Sequence, residues 1–225
     1  MLDFIDMVSI ARFLFAPNTL PLTNLLMSSN LKALEGMFSF QTIQVNADNN
    51  QFQLNAVGMG EANGVPIQQL TIDPVSINLA VCGDSTALRN TYEILRGFLI
   101  KIDAKRRMEH PKIYTTTHQT QSTVKLSVPY ERLIAPKLLK FLKSQTAVIR
   151  PTDSSDAEVH LSNLSFQVKY TPTSDIYSLV PKVLTIEPRA GSDPKENMYY
   201  VLTPTDSDKH RALVKEFERA MSEAK

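Results

Sequence analysis

Strict alternation of apolar and polar positions is the clearest pattern along this chain. From Gln51 to Ala56 every second residue is apolar, and the residues between are Gln or Asn. A similar period of two runs from Val75 to Cys82, where Ser and Asn separate aliphatic side chains. Successive side chains of a strand point to opposite faces, so this period predicts strands that bury one face and expose the other.

A helical period follows these strands. Apolar residues recur every three or four positions and would share one stripe of a helix: Leu88, Tyr92, Leu95, Leu99 and Ile102. Asp84 or Ser85 is a suitable N-cap for this helix, which we expect to run from about Thr86 to Arg107. Because one face of the helix is apolar, we expect it to cover the buried face of the sheet.

The whole pattern predicts an α+β protein, mainly antiparallel sheet covered by helices, in the order αα-ββββ-α-ββ-α-βββ-α. Periodicity, caps and turn residues place helices at 3–15, 20–35, 86–107, 130–144 and 205–224. They place strands at 40–47, 51–57, 67–72, 75–82, 113–118, 123–128, 159–170, 183–187 and 198–202. A stop at Gly36 and a break at Pro136 are expected within the helical segments.

Two segments need special turn chemistry. The inward-facing positions change from even to odd numbers across Asp73-Pro74, so a turn or a bulge must absorb the slip. The segment Gly58–Gly64 holds three of the seven glycines and is expected to be a flexible hairpin loop.

A short internal similarity raises the question of duplication. Leu70–Pro74 reads Leu-Thr-Ile-Asp-Pro, and Leu184–Pro188 reads Leu-Thr-Ile-Glu-Pro. Each precedes a strand and an Asp-Ser-led helix, which suggests two pseudo-repeated strand–strand–strand–helix halves. The spacings differ, so chance similarity is the favoured interpretation. We expect one α+β domain over residues 1–225, with a division into 1–150 and 151–225 as the alternative.

Composition restricts the class of protein. The chain has 225 residues, 43% apolar and 21% charged, with a formal net charge of +1. These values are typical of a folded globular protein and provide no global field that would attract nucleic acid or an anionic membrane. Neutral Asn, Gln, Ser and Thr fill many outward strand positions. The strand propensity of threonine is the favoured explanation, since strand surfaces vary widely, and a sheet face covered by a partner is the alternative.

No motif identifies an enzyme, a cofactor site or a metal centre. Cys82 is the only cysteine, which excludes a disulfide framework and a cysteine-rich metal site. Apart from Glu109 beside His110, no histidine has a second ligand at helical or hairpin spacing. The glycine cluster lacks the Lys and Ser/Thr of a P-loop, and Gly-x-Ser-x-Gly is missing. We therefore expect no catalytic, cofactor-binding or metal-binding residues, and we favour a protein that is not an enzyme.

Basic residues are the best candidates for contact with a polyanion. One cluster is expected at the end of the long helix: Lys101, Lys105, Arg106 and Arg107. A second stripe combines Lys137, Lys140 and Lys143. Solvated helix ends and faces are the favoured interpretation of both, because cations suit the C-terminal end of the helix dipole.

The leading hypothesis for function is non-enzymatic assembly or partner binding, with a protein partner or with a second copy of the chain. Association is expected through residues 1–35 or an open sheet face. The apolar N-terminus lacks the basic region of a signal peptide and is too short to span a bilayer, which favours a cytoplasmic protein without a transmembrane segment.

Two alternatives stay open. The first is a nucleic-acid-binding protein that uses the two basic stripes. The second is a small-ligand binder or enzyme with a pocket between sheet and helices, lined by groups such as Asp73, His160 and Tyr170. The Gly58–Gly64 segment would then be its lid.

Overall fold

The computed structural model describes residues 2–48, 51–138, 140–141, 163–168 and 182–223. Within these residues ten strands form a sheet whose hydrogen-bonded neighbours follow β2-β3-β5-β6-β1-β7-β10-β9-β8, with β4 paired to β5. The strands are β1 (Asp3–Phe15), β2 (Thr42–Asp48), β3 (Gln51–Val57), β4 (Gly60–Ala62), β5 (Val65–Ile72), β6 (Ser76–Cys82), β7 (Ile113–Lys125), β8 (Leu164–Val168), β9 (Lys182–Pro188) and β10 (Met198–Thr203). The helices are α1 (Leu22–Leu25), α2 (Ser28–Phe38), α3 (Ser85–Ile102) and α4 (Ser207–Glu223), and 3₁₀ turns span Tyr130–Leu133 and Pro194–Glu196. The predicted α+β class with a large antiparallel sheet is confirmed.

The chain divides into two compact units. The major unit comprises residues 7–120 and 204–208, and the minor unit comprises residues 1–6, 121–203 and 209–225. Each unit has its own apolar core. The single-domain organisation, the boundary near residue 151 and the pseudo-repeat stay predictions.

The core of the major unit lies between its strands and α3. Leu88, Leu95 and Leu99 of α3 are buried, as the helical stripe predicts. Tyr92 of α3 stacks on Phe13 with 4.0 Å between ring centroids. Asp84 caps the helix through one carboxylate oxygen, which accepts from the N–H groups of residues 86 and 87. The core of the minor unit is smaller: Val124, Leu126, Ile186, Tyr199, Val201 and Val214.

The N-terminal segment is a strand, so the prediction of a helix at 3–15 is wrong. β1 pairs with β6 in antiparallel register from Val8 opposite Cys82 to Leu14 opposite Ser76. Ala11 and Phe13 are buried on one face, and Leu14 is half-buried on the other. A central strand with two apolar faces loses the period of two, and such a run cannot be separated from a buried helix by periodicity.

Other helix boundaries also differ from the prediction. The segment 20–35 forms two helices, because Met27 is extended between α1 and α2. Gly36 lies inside α2, which ends where Ser39 adopts the left-handed conformation at φ 54°. The break at Pro136 is confirmed, since a 3₁₀ turn precedes it and residues 136–138 are helical. The predicted strand at 159–170 corresponds to β8 within residues 163–168, and its remaining residues lie outside the described residues.

One long strand replaces the predicted hairpin of 113–118 and 123–128. The polar residues Gln119–Ser122 suggested a turn, yet Thr120 and Ser122 are buried within β7. Thr120 Oγ1 donates to the carbonyl of Thr205 at 2.8 Å. A buried hydroxyl with a partner does not interrupt a strand, so the polar stretch continues β7.

The turn at Asp73 absorbs the predicted change of parity. Ile72 lies opposite Ile77, so an even position and an odd position share one face of the sheet. The Asp73 carboxylate accepts from the N–H groups of Val75 at 2.9 Å and Ser76 at 2.6 Å, which holds the four-residue turn. A bulge between Ile67 and Gln69 shifts the register of β5 and β6 a second time, nearer the start of β5.

The glycine-rich segment is more ordered than a flexible loop. Residues 60–62 form β4 and pair with residues 65–67 of β5. Asn63 and Gly64 both have positive φ, at 51° and 80°, which suits the two-residue turn of a tight hairpin. A side chain at Gly60 would collide with the Phe40 ring and, at 2.7 Å, with the Phe38 carbonyl. The expectation of a loose loop is therefore wrong.

Candidate interaction surface

One row of directly paired side chains crosses five neighbouring strands of the major unit. Gln44 of β2 lies opposite Asn55 of β3. Asn55 lies opposite Thr71 of β5, which in turn lies opposite Asn78 of β6. Asn78 lies opposite Arg12 of β1. Residues directly opposite each other in antiparallel strands point to the same face, so these five side chains form a continuous ladder.

Further uncharged side chains flank this row. We call the polar residues of this surface the polar face; they are Arg12, Thr42, Gln44, Asn46, Gln53, Asn55, Gln69, Thr71 and Asn78. The apolar residues Ile10, Leu14, Val57 and Ala80 share the same side of the sheet. Gln44, Gln53 and Gln69 are exposed, while Asn55 and Asn78 are half-buried. Thr71 is buried, and its Oγ1 donates to Asn55 Oδ1 at 3.0 Å. Among its members only Arg12 is charged, and a guanidinium nitrogen of Arg12 lies 4.0 Å from Asp73 Oδ2.

The opposite face carries an apolar row one residue along each strand. Leu54, Ile72 and Ile77 lie in register and are fully buried in the core of the major unit. Phe13 continues the row on β1 opposite Ile77. In β3 and β6 the alternation therefore separates a packed face from the polar face, as the sequence pattern predicts.

Only Lys101 of the predicted basic cluster lies on a helix. α3 ends at Ile102, so only Lys101 belongs to its last turn, and it is exposed. Lys105, Arg106 and Arg107 lie in the turn that follows. The expected helix from Thr86 to Arg107 is therefore too long by one turn. The helix stops at Asp103, whose side chain bonds to residues beyond the helix instead.

Asp103 is buried and organises that turn. One carboxylate oxygen accepts from the Lys105 N–H at 3.2 Å and from two nitrogens of Arg107 at 3.0 and 3.2 Å. The other oxygen accepts from the Met108 N–H at 3.0 Å. Burial raises the pKa of Asp103, but the hydrogen bonds from Arg107 and the two backbone groups outweigh it and hold the pKa below its ordinary value.

These contacts reduce the charge that the cluster can offer to a ligand. Arg107 also donates to the Asn18 carbonyl at 2.8 Å, so it holds the loop on two sides. Arg106 is 80% exposed and lies 3.6 Å from Glu109. Lys137 and Lys140 of the second stripe are exposed, and Lys143 lies outside the described residues. Polyanion binding stays a prediction, and any test of it should spare Arg107, whose loss would disturb Asp103.

A buried histidine in the minor unit was not singled out by the sequence. His210 is fully buried on α4; its Nε2 lies 2.6 Å from Ser122 Oγ and its Nδ1 lies 2.8 Å from Thr203 Oγ1. Phe4 flanks the ring, with 6.1 Å between centroids. Burial, assisted by the nearby charge of Arg211, lowers the pKa of His210 to about 4. Helical spacing could have identified His210 as a buried residue, since it precedes the buried Val214 by four positions and therefore lies on the same helix face.

The serine and histidine resemble part of a catalytic triad but are buried. Ser122 and Thr203 are themselves buried, and both nitrogens of His210 face hydroxyl groups rather than a carboxylate. A nucleophile needs access to substrate, and its base is usually oriented by a third polar group. The arrangement is therefore a hydrogen-bonded core contact.

Of the three residues named for a ligand pocket, the structure describes only Asp73. Asp73 serves the turn described above, and His160 and Tyr170 lie outside the described residues. The segment proposed as a lid is β4 and its tight turn, packed on Phe38 and Phe40. In the part of the chain that the structure describes, no group of three or more His, Cys, Asp or Glu side chains could hold a metal ion.

Comparison of the chain with protein-family models, with curated proteins and with solved structures gives no match. Over the described ranges, no helix combines the length and the apolar character needed to span a bilayer. The proposal for function therefore rests on the residues and their geometry.

Proposed function

We propose that the chain is a non-enzymatic assembly protein that associates with a second copy of itself through the polar face. The observation that carries this proposal is the row Gln44, Asn55, Thr71, Asn78 and Arg12 across five strands. Most of the row is neutral, and two of its members are exposed at its ends.

The residue types support contact rather than chance. Asn46, Asn55 and Asn78 lie inside strands, although asparagine is depleted from strands. Strand propensity therefore does not explain them, and the threonine explanation covers only Thr42 and Thr71. A functional surface accounts for side chains that the local structure disfavours.

Amide side chains are self-complementary. Each carboxamide both donates and accepts hydrogen bonds, so a face of amides can pair with its own copy about a two-fold axis. A face of one charge sign would repel its copy, and burying its charges would cost more than burying amides. The net charge of +1 adds little long-range repulsion between copies.

Single charge substitutions test this proposal. Gln53→Lys and Gln44→Lys place a cation on the polar face at exposed positions, where the fold should tolerate it. Asn90→Lys makes the same amide-to-lysine change on an exposed position of α3 and is the matched control. We expect the wild type and Asn90→Lys to associate as concentration rises, and the two face variants to show a lower average mass by light scattering and sedimentation velocity.

The control decides between specific and general effects. Equal masses for the wild type and both face variants would overturn the proposed surface. A wild type that stays monomeric at high concentration would overturn self-assembly. Far-UV circular dichroism and thermal unfolding show whether each variant keeps its fold.

A further inference from the structure

The edge of β2 that faces away from β3 has no neighbouring strand among the described residues and is a second candidate surface of the same unit. β2 is the last strand in the order of the described sheet, with β3 on its other side. The Ile43 N–H donates to Glu35 Oε1 at 2.7 Å, so it points away from β3. The register of residues 42–48 with β3 has no shift, and N–H groups alternate between the two sides of a strand. The N–H and carbonyl of Val45 therefore also point away from β3.

The side chains along this edge lack the usual protection against pairing. Edge strands are commonly blocked by Lys, Pro or a bulge. Thr42, Gln44 and Asn46 are uncharged and exposed, and Val45 is 41% exposed. Glu35 covers the edge at Ile43 and Thr42, whereas Val45 and Asn46 further along β2 are exposed.

We propose that β2 pairs in antiparallel register with β2 of a second copy, centred on Val45. In this register Val45 meets Val45 of the second copy, and Gln44 meets Asn46 of the second copy. Apolar and amide residues are each matched with their own kind, and no like charges face each other at these positions. The second copy is favoured as occupant because the polar row then continues from Gln44 through Asn46 to Gln53 of the other copy.

This inference deepens the proposed function, on which it rests for the self-assembly of the chain. The two-fold axis of an antiparallel strand pair is perpendicular to the sheet, so both polar faces lie on the same side of the joined sheet. Face-to-face contact uses a two-fold axis parallel to the sheet. Two perpendicular two-fold axes generate a tetramer, in which each interface can be removed separately.

Proline at position 45 tests the edge. Val45→Pro removes an N–H that does not serve the β2–β3 ladder, so the sheet should persist. Val45→Thr keeps the N–H and the β-branched shape and is the control. We expect Val45→Pro to halve the mass of the assembly measured by sedimentation velocity, and Val45→Thr to leave it unchanged. An unchanged mass for a folded Val45→Pro would overturn the edge pairing.

A second variant covers the case in which Val45→Pro unfolds. Val45→Lys places two ammonium groups opposite each other across the two-fold axis, and like charges directly opposite are destabilising. We expect it to lose the edge contact at low salt and to recover part of it at high salt. Full association of Val45→Lys at low salt would also overturn the edge pairing.

Removal of the Glu35 carboxylate from the edge should strengthen the pairing of β2 with the second copy. Glu35→Ala frees the Ile43 N–H to donate to the carbonyl of residue 47 in the second copy. Glu35→Gln keeps a neutral acceptor and is the control. We expect Glu35→Ala to lower the dissociation constant of the edge pair by about fivefold or more, since one net hydrogen bond is gained on each side. Weaker or unchanged association of a folded Glu35→Ala would contradict the proposed register.

The results for Gln53→Lys and Val45→Pro distinguish the polar face from the β2 edge. If Gln53→Lys lowers the mass and Val45→Pro does not, the polar face associates and the edge inference is wrong. If Val45→Pro lowers the mass and Gln53→Lys does not, the edge pairs and the proposed face is wrong. A monomeric wild type overturns both.

Discussion

Asp103 in the major unit and His210 in the minor unit are both buried ionisable groups, yet their surroundings favour opposite charge states. Asp103 is held as the charged carboxylate, and His210 is held as the neutral ring. Asp103 accepts hydrogen bonds from the Arg107 guanidinium and from two backbone N–H groups. The ring nitrogens of His210 lie within hydrogen-bond distance of the hydroxyls of Ser122 and Thr203. Donors that favour the carboxylate lower the pKa of Asp103, whereas burial among neutral partners lowers the pKa of His210 to about 4.

The difference shows that, in each unit, the groups that resemble a binding or catalytic site have a structural role. The basic cluster supplies Arg107 as the counter-charge of a buried aspartate, which closes the turn after α3. His210 joins α4 to β7 through Ser122 and to β10 through Thr203 without exposing a charge. Both sets hold the fold together, and the contact with a second copy is proposed for the neutral amides of the polar face instead.

The largest expected effect is at Asp103. Asp103→Asn keeps the size of the side chain but directs an N–H₂ group at a backbone N–H or at Arg107. Because a buried pair is broken and the Arg107 charge loses its partner, we expect the free energy of unfolding to fall by about 3–4 kcal/mol in urea denaturation. A loss below about 1 kcal/mol would mean that the pair adds little to stability.

Asp103 and His210 should lose their contributions to stability in different ranges of acidic pH. The pKa of His210 is about 4 in the folded chain, against an ordinary histidine value of about 6.5, so the unfolded chain binds more protons between these values. Stability should therefore fall as the pH is lowered from 6.5 to 4, by about 3 kcal/mol in total. Asp103 loses its contribution only below the ordinary pKa of an aspartate, as the pH falls through its lowered folded pKa.

Replacement of the histidine isolates that window. His210→Gln should flatten the unfolding free energy between pH 6.5 and 4 relative to the wild type. The steeper loss at lower pH, which includes Asp103, should remain. An unchanged slope in His210→Gln would show that other groups govern the acid dependence in this range.

A smaller effect is expected at the hydroxyl partners. Ser122→Ala leaves His210 Nε2 buried without its partner, and we expect a loss of about 2 kcal/mol. Ser122→Thr keeps the hydroxyl and is the control. Nitrogen-15 NMR of the His210 ring would report the tautomer and its change in the alanine variant. Equal stabilities of Ser122→Ala and wild type would contradict a stabilising role for this bond.

The smallest effect is expected at Arg106. Its side chain is 80% exposed and its ion pair with Glu109 is 3.6 Å long. Exposed ion pairs contribute little, so Arg106→Gln should change the unfolding free energy by less than about 0.5 kcal/mol. A loss comparable to that of Asp103→Asn would mean that the whole cluster, and not Arg107 alone, supports the turn.

Local signals in the sequence predicted much of the major unit. The alternation in β3 and β6, the cap at Asp84 and the stripe of α3 are decided by nearby residues, and the structure confirms them. The slip of parity at Asp73 also predicted a turn, which Asp73 itself stabilises. The amides of the polar face were visible one strand at a time. Their alignment into one row depends on the register of five strands, which includes a bulge that the sequence did not locate.

Long-range contacts decided the rest. β1 is apolar on both faces because it lies between β6 and β7, and no periodicity within the segment reports its neighbours. β7 continues through a polar stretch because Thr120 finds a partner in a segment 85 residues away. The position of His210 between two hydroxyls arises in the same way.

The sequence by itself determined which side of most strands is apolar, where α3 begins and that a turn must stand at Asp73. Only the tertiary structure decided that the first segment is a strand and that α3 ends before Asp103. It also decided that one row crosses five strands, formed by Gln44, Asn55, Thr71, Asn78 and Arg12. The physical reason is range: side-chain periodicity and capping act over a few residues, whereas register and charge pairing depend on groups that meet only after the chain has folded.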